Sequence, residues 1–108
     1  DIFLMPSLYE PCGLSQMFAM RYGNLPVATS TGGLADSILD YSSDLSIATG
    51  FLYPEKNEAG LEQALQLALK IYEYKRSWAI MRRNAMSTHF SWKISASKYL
   101  DVYQKILA

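Results

Sequence analysis

Cysteine is almost missing from this chain. Of 108 residues only Cys12 carries a thiol, which excludes an internal disulfide and fits a reducing compartment. Histidine is as scarce, with His89 alone, and no Cys, Asp or Glu stands at metal-ligand spacing from it, so no metal centre is expected. Net charge is missing too: 10 Lys and Arg face 10 Asp and Glu, so nothing favours nucleic acid or an anionic membrane through long-range electrostatics, and any phosphate site must be local. No apolar run approaches the ~20 residues that span a bilayer, and no basic-then-apolar leader opens the chain. What is plentiful is apolar character, at 50% of residues, enough for the core of one domain. The chain opens without Met, inside what reads as a strand, so a fragment of a longer protein is expected.

The most informative segment is Met5-Pro6-Ser7-Leu8-Tyr9-Glu10-Pro11-Cys12-Gly13-Leu14-Ser15-Gln16. It sets an acid, a thiol and a flexible glycine between a strand and a helix. Ile2 to Met5 is an apolar run suited to a buried strand, and Pro6 and Pro11 then interrupt regular structure. From Gly13 onward Leu14, Met17, Phe18, Met20 and Arg21 recur at helical spacing, with a stop predicted at Tyr22-Gly23-Asn24, where Gly or Asn takes a left-handed cap. The first amides of that helix, from Gly13 to Gln16, lack intrahelical acceptors and carry the positive end of the helix dipole, so they suit a phosphate or another anion. Glycine at the entry lets a ligand come close to the backbone.

A second unit repeats the design. Pro26-Val27-Ala28-Thr29 reads as a short strand, and Ser30-Thr31-Gly32-Gly33-Leu34 as a flexible turn into the periodic stretch Leu34 to Leu39. In an open parallel sheet both turns would face one edge, where ligands bind. Further on, Gly50-Phe51-Leu52-Tyr53-Pro54 reads as a third short strand closed by proline. Glu58 to Tyr74 is predicted to be an amphipathic helix with Leu61, Ala64, Leu65, Ala68, Leu69 and Tyr72 on one face. Another helix is expected from Lys75 to Thr88, and a last one from Trp92 to Leu107 with Ser91 as its cap. Three short strands make a thin sheet for so many helices, and further partner strands are expected upstream in a parent chain.

Single residues weigh less than their combination. Cys12, with no histidine near it, reads as a small semi-buried hydrophobe rather than a nucleophile. Paired glycines mark turns more often than phosphate cradles. His89 reads as a capping or packing residue, Lys75, Arg76, Arg82 and Arg83 as a solvated face, and Trp78 and Trp92 as anchors of the last helices.

Together the turns are specific. The series Met-Pro-Ser-x-Tyr-Glu-Pro-Cys-Gly-Leu-x-Gln, then Met20-Arg21-Tyr22-Gly23-x-x-Pro26-Val27, then Thr31-Gly32-Gly33-Leu34-x-Asp36 closely resembles the bacterial glycogen synthase and plant starch synthase family. Gly50-Phe51 and Phe90-Ser91-Trp92, with Ala96 and Tyr99, match that family's closing region, so the resemblance extends over the whole chain. It implies an α/β fold: part of the Rossmann-like C-terminal domain of a retaining GT-B glycosyltransferase, with short parallel strands and flanking and C-terminal helices. Residues 1–108 would be the C-terminal part of the domain that binds the sugar nucleotide, including the terminal helices, with the N-terminal acceptor domain absent.

The implied activity is transfer of glucose from a nucleoside diphosphate glucose, ADP-glucose by resemblance, to the non-reducing end of an α-1,4-glucan in glycogen or starch biosynthesis. No cofactor is implied. Glu10 would be the catalytic residue, holding sugar hydroxyls and stabilising positive charge at the anomeric carbon. Cys12 would shape the sugar site, the amides of Gly13, Leu14 and Ser15 with the Ser15 hydroxyl would hold the diphosphate, and Thr31, Gly32 and Gly33 would line the same cleft. Related enzymes carry a second glutamate eight positions after the first; here Phe18 stands there, so that ribose contact does not carry over. The basic groups that neutralise the diphosphate and the family's Lys-x-Gly-Gly motif would precede this segment. Alone, the segment is expected to be inactive and open to self-association. The resemblance places the parent in the cytoplasm of a bacterium or the plastid stroma of a plant. A different class stays open at this point: a non-catalytic binding or structural module derived from another GT-B glycosyltransferase.

Overall fold

The computed structural model describes all 108 residues. The apolar runs pair into one parallel sheet of β1 (Ile2–Met5), β2 (Leu25–Thr29) and β3 (Phe51–Tyr53), ordered β1-β2-β3. Helices α1 (Ser15–Arg21) and α2 (Gly32–Ser37) follow the first two strands, and α3 (Glu58–Glu73), α4 (Lys75–Ser87) and α5 (Trp92–Leu107) follow the third. Because all strands run the same way, their carboxyl ends share one edge.

Strand β2 lies in the middle and is buried along its whole length, as a parallel strand covered on both faces should be. It begins one residue earlier than its sequence suggests, at Leu25, whose amide donates to the Asp1 carbonyl at 2.9 Å. Amides alternate sides along a strand, so the proline nitrogen of Pro26 faces the β3 side. There β3 starts only opposite Val27, so no ladder bond is lost. Helix α1 closes as its sequence predicts: Gly23 has φ +80°, and the amides of Gly23 and Asn24 donate back to the Met20 and Ala19 carbonyls.

The core joins the sheet to α3 and α4. Phe51 stacks on Tyr41 and on Trp78, with centroids 5.7 and 6.1 Å apart, and Tyr72 meets Trp78 edge-on at 5.0 Å. Such pairs contribute about 0.5–1.5 kcal/mol each beyond the area they bury. Trp78 is therefore the expected anchor, but Trp92 is not: it is 84% exposed, and α5 has no buried residue. Ser91 occupies the N-cap position of α5 without making the side-chain bond expected of it. The working cap is Asn57, whose Oδ1 accepts from the Gly60 amide at 2.8 Å at the start of α3. The buried stripe of α3 is Gly60, Ala64, Ala68 and Ile71, so Leu69, read as inward, is exposed. Two apolar stripes lie side by side on this helix, and the one with small residues packs inward because it lets the helix axis approach the sheet.

Candidate active site

The two glycine-containing turns, separate in sequence, form one unit at the carboxyl ends of β1 and β2. The Gly33 amide donates to the Glu10 carbonyl at 2.8 Å, and the Thr29 hydroxyl donates to the Ser7 carbonyl at 2.5 Å. A Cβ on Gly32 would overlap the Glu10 carbonyl oxygen, and one on Gly33 would overlap the Cys12 backbone. Gly32 also needs its glycine for a φ of +46°. The glycine pair thus has a packing reason that its sequence alone does not disclose: it lets the second turn press against the first. With its amide engaged by the Glu10 carbonyl, Gly33 buttresses the first turn.

The first turn presents its groups outward. Glu10 is half-buried, Cys12 and Ser15 are exposed, and Leu14, at the N-cap of α1, is 60% exposed. The exposure of Cys12 corrects its reading as a semi-buried hydrophobe; its Sγ reaches only the Gly13 carbonyl, at 3.6 Å. The amides of Gly13, Leu14 and Ser15 donate to no backbone carbonyl. Three amides without a backbone acceptor, in the same turn as the Glu10 side chain, suit a ligand with an anionic part and a hydroxyl-bearing part. Phe18 is 61% exposed and brings no polar group. His89 is exposed and packs no core; with Leu14, Met17, Phe18 and Phe90 it lines an open groove between α1 and the α4–α5 link.

Two residues that the sequence reading passed over belong here. Lys56 follows β3 at the same sheet edge, and its Nζ donates to the Thr31 hydroxyl at 3.4 Å, placing a cation beside the second turn. The signal for it was positional, since Pro54 ends the third strand where the other two turns begin. Lys56 and Tyr53 help to line a hollow of about 200 Å3, together with Pro6 and Thr29 at the ends of the other strands. Burial pushes the Tyr53 phenol up, so it stands as a neutral hydroxyl at neutral pH. The other residue is Gln16, fully buried beneath the first turn. Its Nε2 donates to the carbonyls of Cys12 and Gly13, both at 2.9 Å.

Gly13 has φ +74°, and a Cβ there would come 2.5 Å from Gln16 Oε1 and 3.0 Å from Glu10 Cγ. The space is therefore filled by protein, not held open for a ligand. Gly13→Val should accordingly destabilise the fold as well as the site, by about 1–3 kcal/mol for the backbone angle before the collision is added. Melting of the full-length variant checks this, and a transition at the parent's temperature would refute it.

Known proteins share these features. Residues 1–85 match the family model for glycosyl transferases group 1. The glycogen synthase of Elusimicrobium minutum is 49% identical over 108 residues, all of this chain and 22% of that protein. The glycogen synthase of Thermotoga petrophila is 50% identical over 109 residues, again all of this chain and 22% of the relative. Among solved structures, the catalytic domain of starch synthase IV from Arabidopsis thaliana, bound to ADP and acarbose, superposes with a TM-score of 0.83 at 39% identity, over 97% of this chain and 22% of that one. Sucrose-phosphate synthase from Thermosynechococcus elongatus follows with a TM-score of 0.67 at 26% identity, over 99% of this chain and 25% of its own. The chain thus spans about a fifth of the relatives it matches. Parallel strands with flanking and C-terminal helices, expected from the motifs, are the fold that these structures share with it. With the family model covering both turns and the whole sheet, the chain belongs to the group 1 glycosyl transferases.

Proposed function

We propose that this chain is the C-terminal part of the sugar-nucleotide-binding domain of a glycogen or starch synthase. The full-length enzyme would transfer glucose from ADP-glucose to the non-reducing end of an α-1,4-glucan with retention. The observation that carries this reading is the interlocked pair of turns at the carboxyl edge of a parallel sheet, which keeps the Glu10 side chain near Gly13 in a turn whose Gly13, Leu14 and Ser15 amides have no backbone acceptor. In this reading the amides of Gly13, Leu14 and Ser15 and the Ser15 hydroxyl receive the diphosphate as it leaves with added charge. Glu10 holds glucose hydroxyls and stabilises the positive charge that builds at the anomeric carbon. Cys12 shapes the sugar pocket, Thr31 and Gly32 border the cleft, and Gly33 supports it. Lys56 adds a charge of the sign a diphosphate needs. The preference for adenine draws on the starch synthase neighbour, which holds ADP. No helix is long and apolar enough to cross a membrane, and the close bacterial relatives favour the cytoplasm of a bacterium over a plastid.

The test compares two proteins. The full-length enzyme should move radiolabelled glucose from ADP-glucose into glycogen, whereas the 108-residue chain, lacking the opposing acceptor surface, should show no detectable transfer. The isolated chain should also self-associate in sedimentation, because α5 exposes Trp92 by 84%, Tyr99 by 61%, Ile106 by 73% and Leu107 by 85%. Transfer by the short chain would mean that the reaction centre is misplaced, and a full-length protein inert towards ADP-glucose and UDP-glucose would overturn the assignment.

A further inference from the structure

Resting on the sugar-nucleotide reading above, we propose that Gln16 is a positioning residue that sets the direction of the Gly13 and Leu14 amides toward the diphosphate. The geometry starts from an unusual burial. Gln16 is 0% exposed, yet it sits in the first turn of a short helix at the protein's edge, where a polar side chain would ordinarily point to water. Its carboxamide nitrogen reaches three acceptors: the Cys12 carbonyl at 2.9 Å, the Gly13 carbonyl at 2.9 Å and the Ser37 hydroxyl at 3.2 Å. The Ser37 hydroxyl in turn donates to the Gly33 carbonyl at 2.6 Å, so its lone pair is free to accept from Gln16. Two of these are carbonyl oxygens, which only the amide end can serve with its two N–H groups, and this fixes its orientation; the Ser37 hydroxyl, the longest contact, shares one of them.

The consequence follows from peptide planarity. In a trans peptide the carbonyl and the next residue's N–H point in opposite directions. All peptides here are trans. Drawing the Cys12 carbonyl inward onto Gln16 therefore turns the Gly13 N–H outward, and drawing the Gly13 carbonyl inward turns the Leu14 N–H outward. These are two of the three amides that donate to no backbone carbonyl. The link through Ser37 to Gly33 ties this orientation to the second turn, which itself grips Glu10 through the Gly33 amide. With no exposed surface, Gln16 acts on a ligand only through these amides. It also leaves its own Oε1 buried without a partner, a cost that is understandable when the nitrogen side has to be held in place.

The test uses the full-length enzyme and ADP as the probe. Gln16→Met keeps the volume and removes the donor. It should weaken ADP binding in calorimetry by about tenfold, the loss of one to two ordinary hydrogen bonds, and raise KM for ADP-glucose while KM for glycogen stays at the parent value. Gln16→Glu gives a second, independent readout. Its carboxylate would face two carbonyl oxygens and repel them, but its protonated form can donate to one of them and no longer repels the other as a charge, so the ADP affinity of this variant should recover in part as the pH falls. A purely structural role would lower stability without either the KM split or the pH recovery. If Gln16→Met does not fold, the Gln16→Glu pH series decides alone. Parental ADP affinity in a folded Gln16→Met protein, or a Gln16→Glu profile parallel to the parent's, overturns the role of Gln16. Failure of the parent itself to bind ADP overturns the underlying site instead.

Discussion

Glu10→Gln in the full-length enzyme is expected to leave the melting temperature nearly unchanged and to lower glucosyl transfer by roughly 10²–10³-fold, the range for removing one group aimed at transition-state charge. The two halves of this expectation come from different atoms of the same residue. What Glu10 gives the fold is its carbonyl, which accepts the Gly33 amide at 2.8 Å, and this bond survives the substitution. Its Cγ packs near Gly13, and glutamine fills that space equally well. What it would give the proposed reaction is a negative charge in the turn that holds the unpaired amides, and glutamine removes it. Glucose incorporation and thermal melting measured on the same preparation check both halves. Transfer within a few-fold of the parent would show that the carboxylate does not meet the developing charge. A large fall in melting temperature would show that the side chain, and not only the carbonyl, holds the turn.

Local patterns were legible in the sequence to the extent that they depend on neighbours along the chain. The run Ile2 to Met5, the stop at Gly23 and the periodicity of Glu58 to Tyr74 each reflect steric and capping rules that act within a few residues, and an element formed at each, although β1, expected to be buried, is an edge strand that exposes Phe3 and Leu4. Features that depend on distant residues were not legible. Which of two apolar stripes on α3 turns inward was decided by how closely the helix can approach β2 and β3, and Ala64 and Ala68 won over Leu65 and Leu69. Trp92 looked like an anchor by type alone, but α5 packs no residue into this core.

The candidate site divides the same way. Glu10 and the amides after it were visible as a strand-to-helix turn with a glycine at its entry. The function of Gly32 and Gly33 was not, because it is a contact between two loops some twenty residues apart. Gln16 was hidden for a further reason. As a polar residue near a helix start it reads as solvent-facing, and only the presence of three acceptors around one nitrogen accounts for its burial. Lys56 reached the site through the parallel order of the strands, which no local pattern encodes.

Gly33→Ala sets local propensity against tertiary contact, with opposite signs. Gly33 lies in α2, and its φ is not in the left-handed region, so backbone strain plays no part. Propensity alone predicts that alanine stabilises a helical glycine position by about 1 kcal/mol. Contact predicts the reverse. The added methyl would overlap the carbonyl oxygen, carbonyl carbon and Cα of Cys12, all backbone atoms that cannot swing aside as a side chain could. Relief requires the two turns to separate, which breaks the Gly33 to Glu10 hydrogen bond and releases the outward set of the first turn. Overpacking of this kind costs about 1–3 kcal/mol or more, so contact wins over propensity. The full-length Gly33→Ala enzyme should therefore melt several degrees below the parent and lose most of its ADP affinity and glucosyl transfer together. Gly23→Ala is the control: it carries φ +80°, but its added methyl would meet only the flexible ends of Arg82 and Met86, far from either turn. It should lose stability from backbone strain while the folded protein keeps the parent's ADP affinity. A Gly33→Ala enzyme as stable and as tight for ADP as the parent would mean that the loops are not pressed together, and with them would go the geometry on which the site depends.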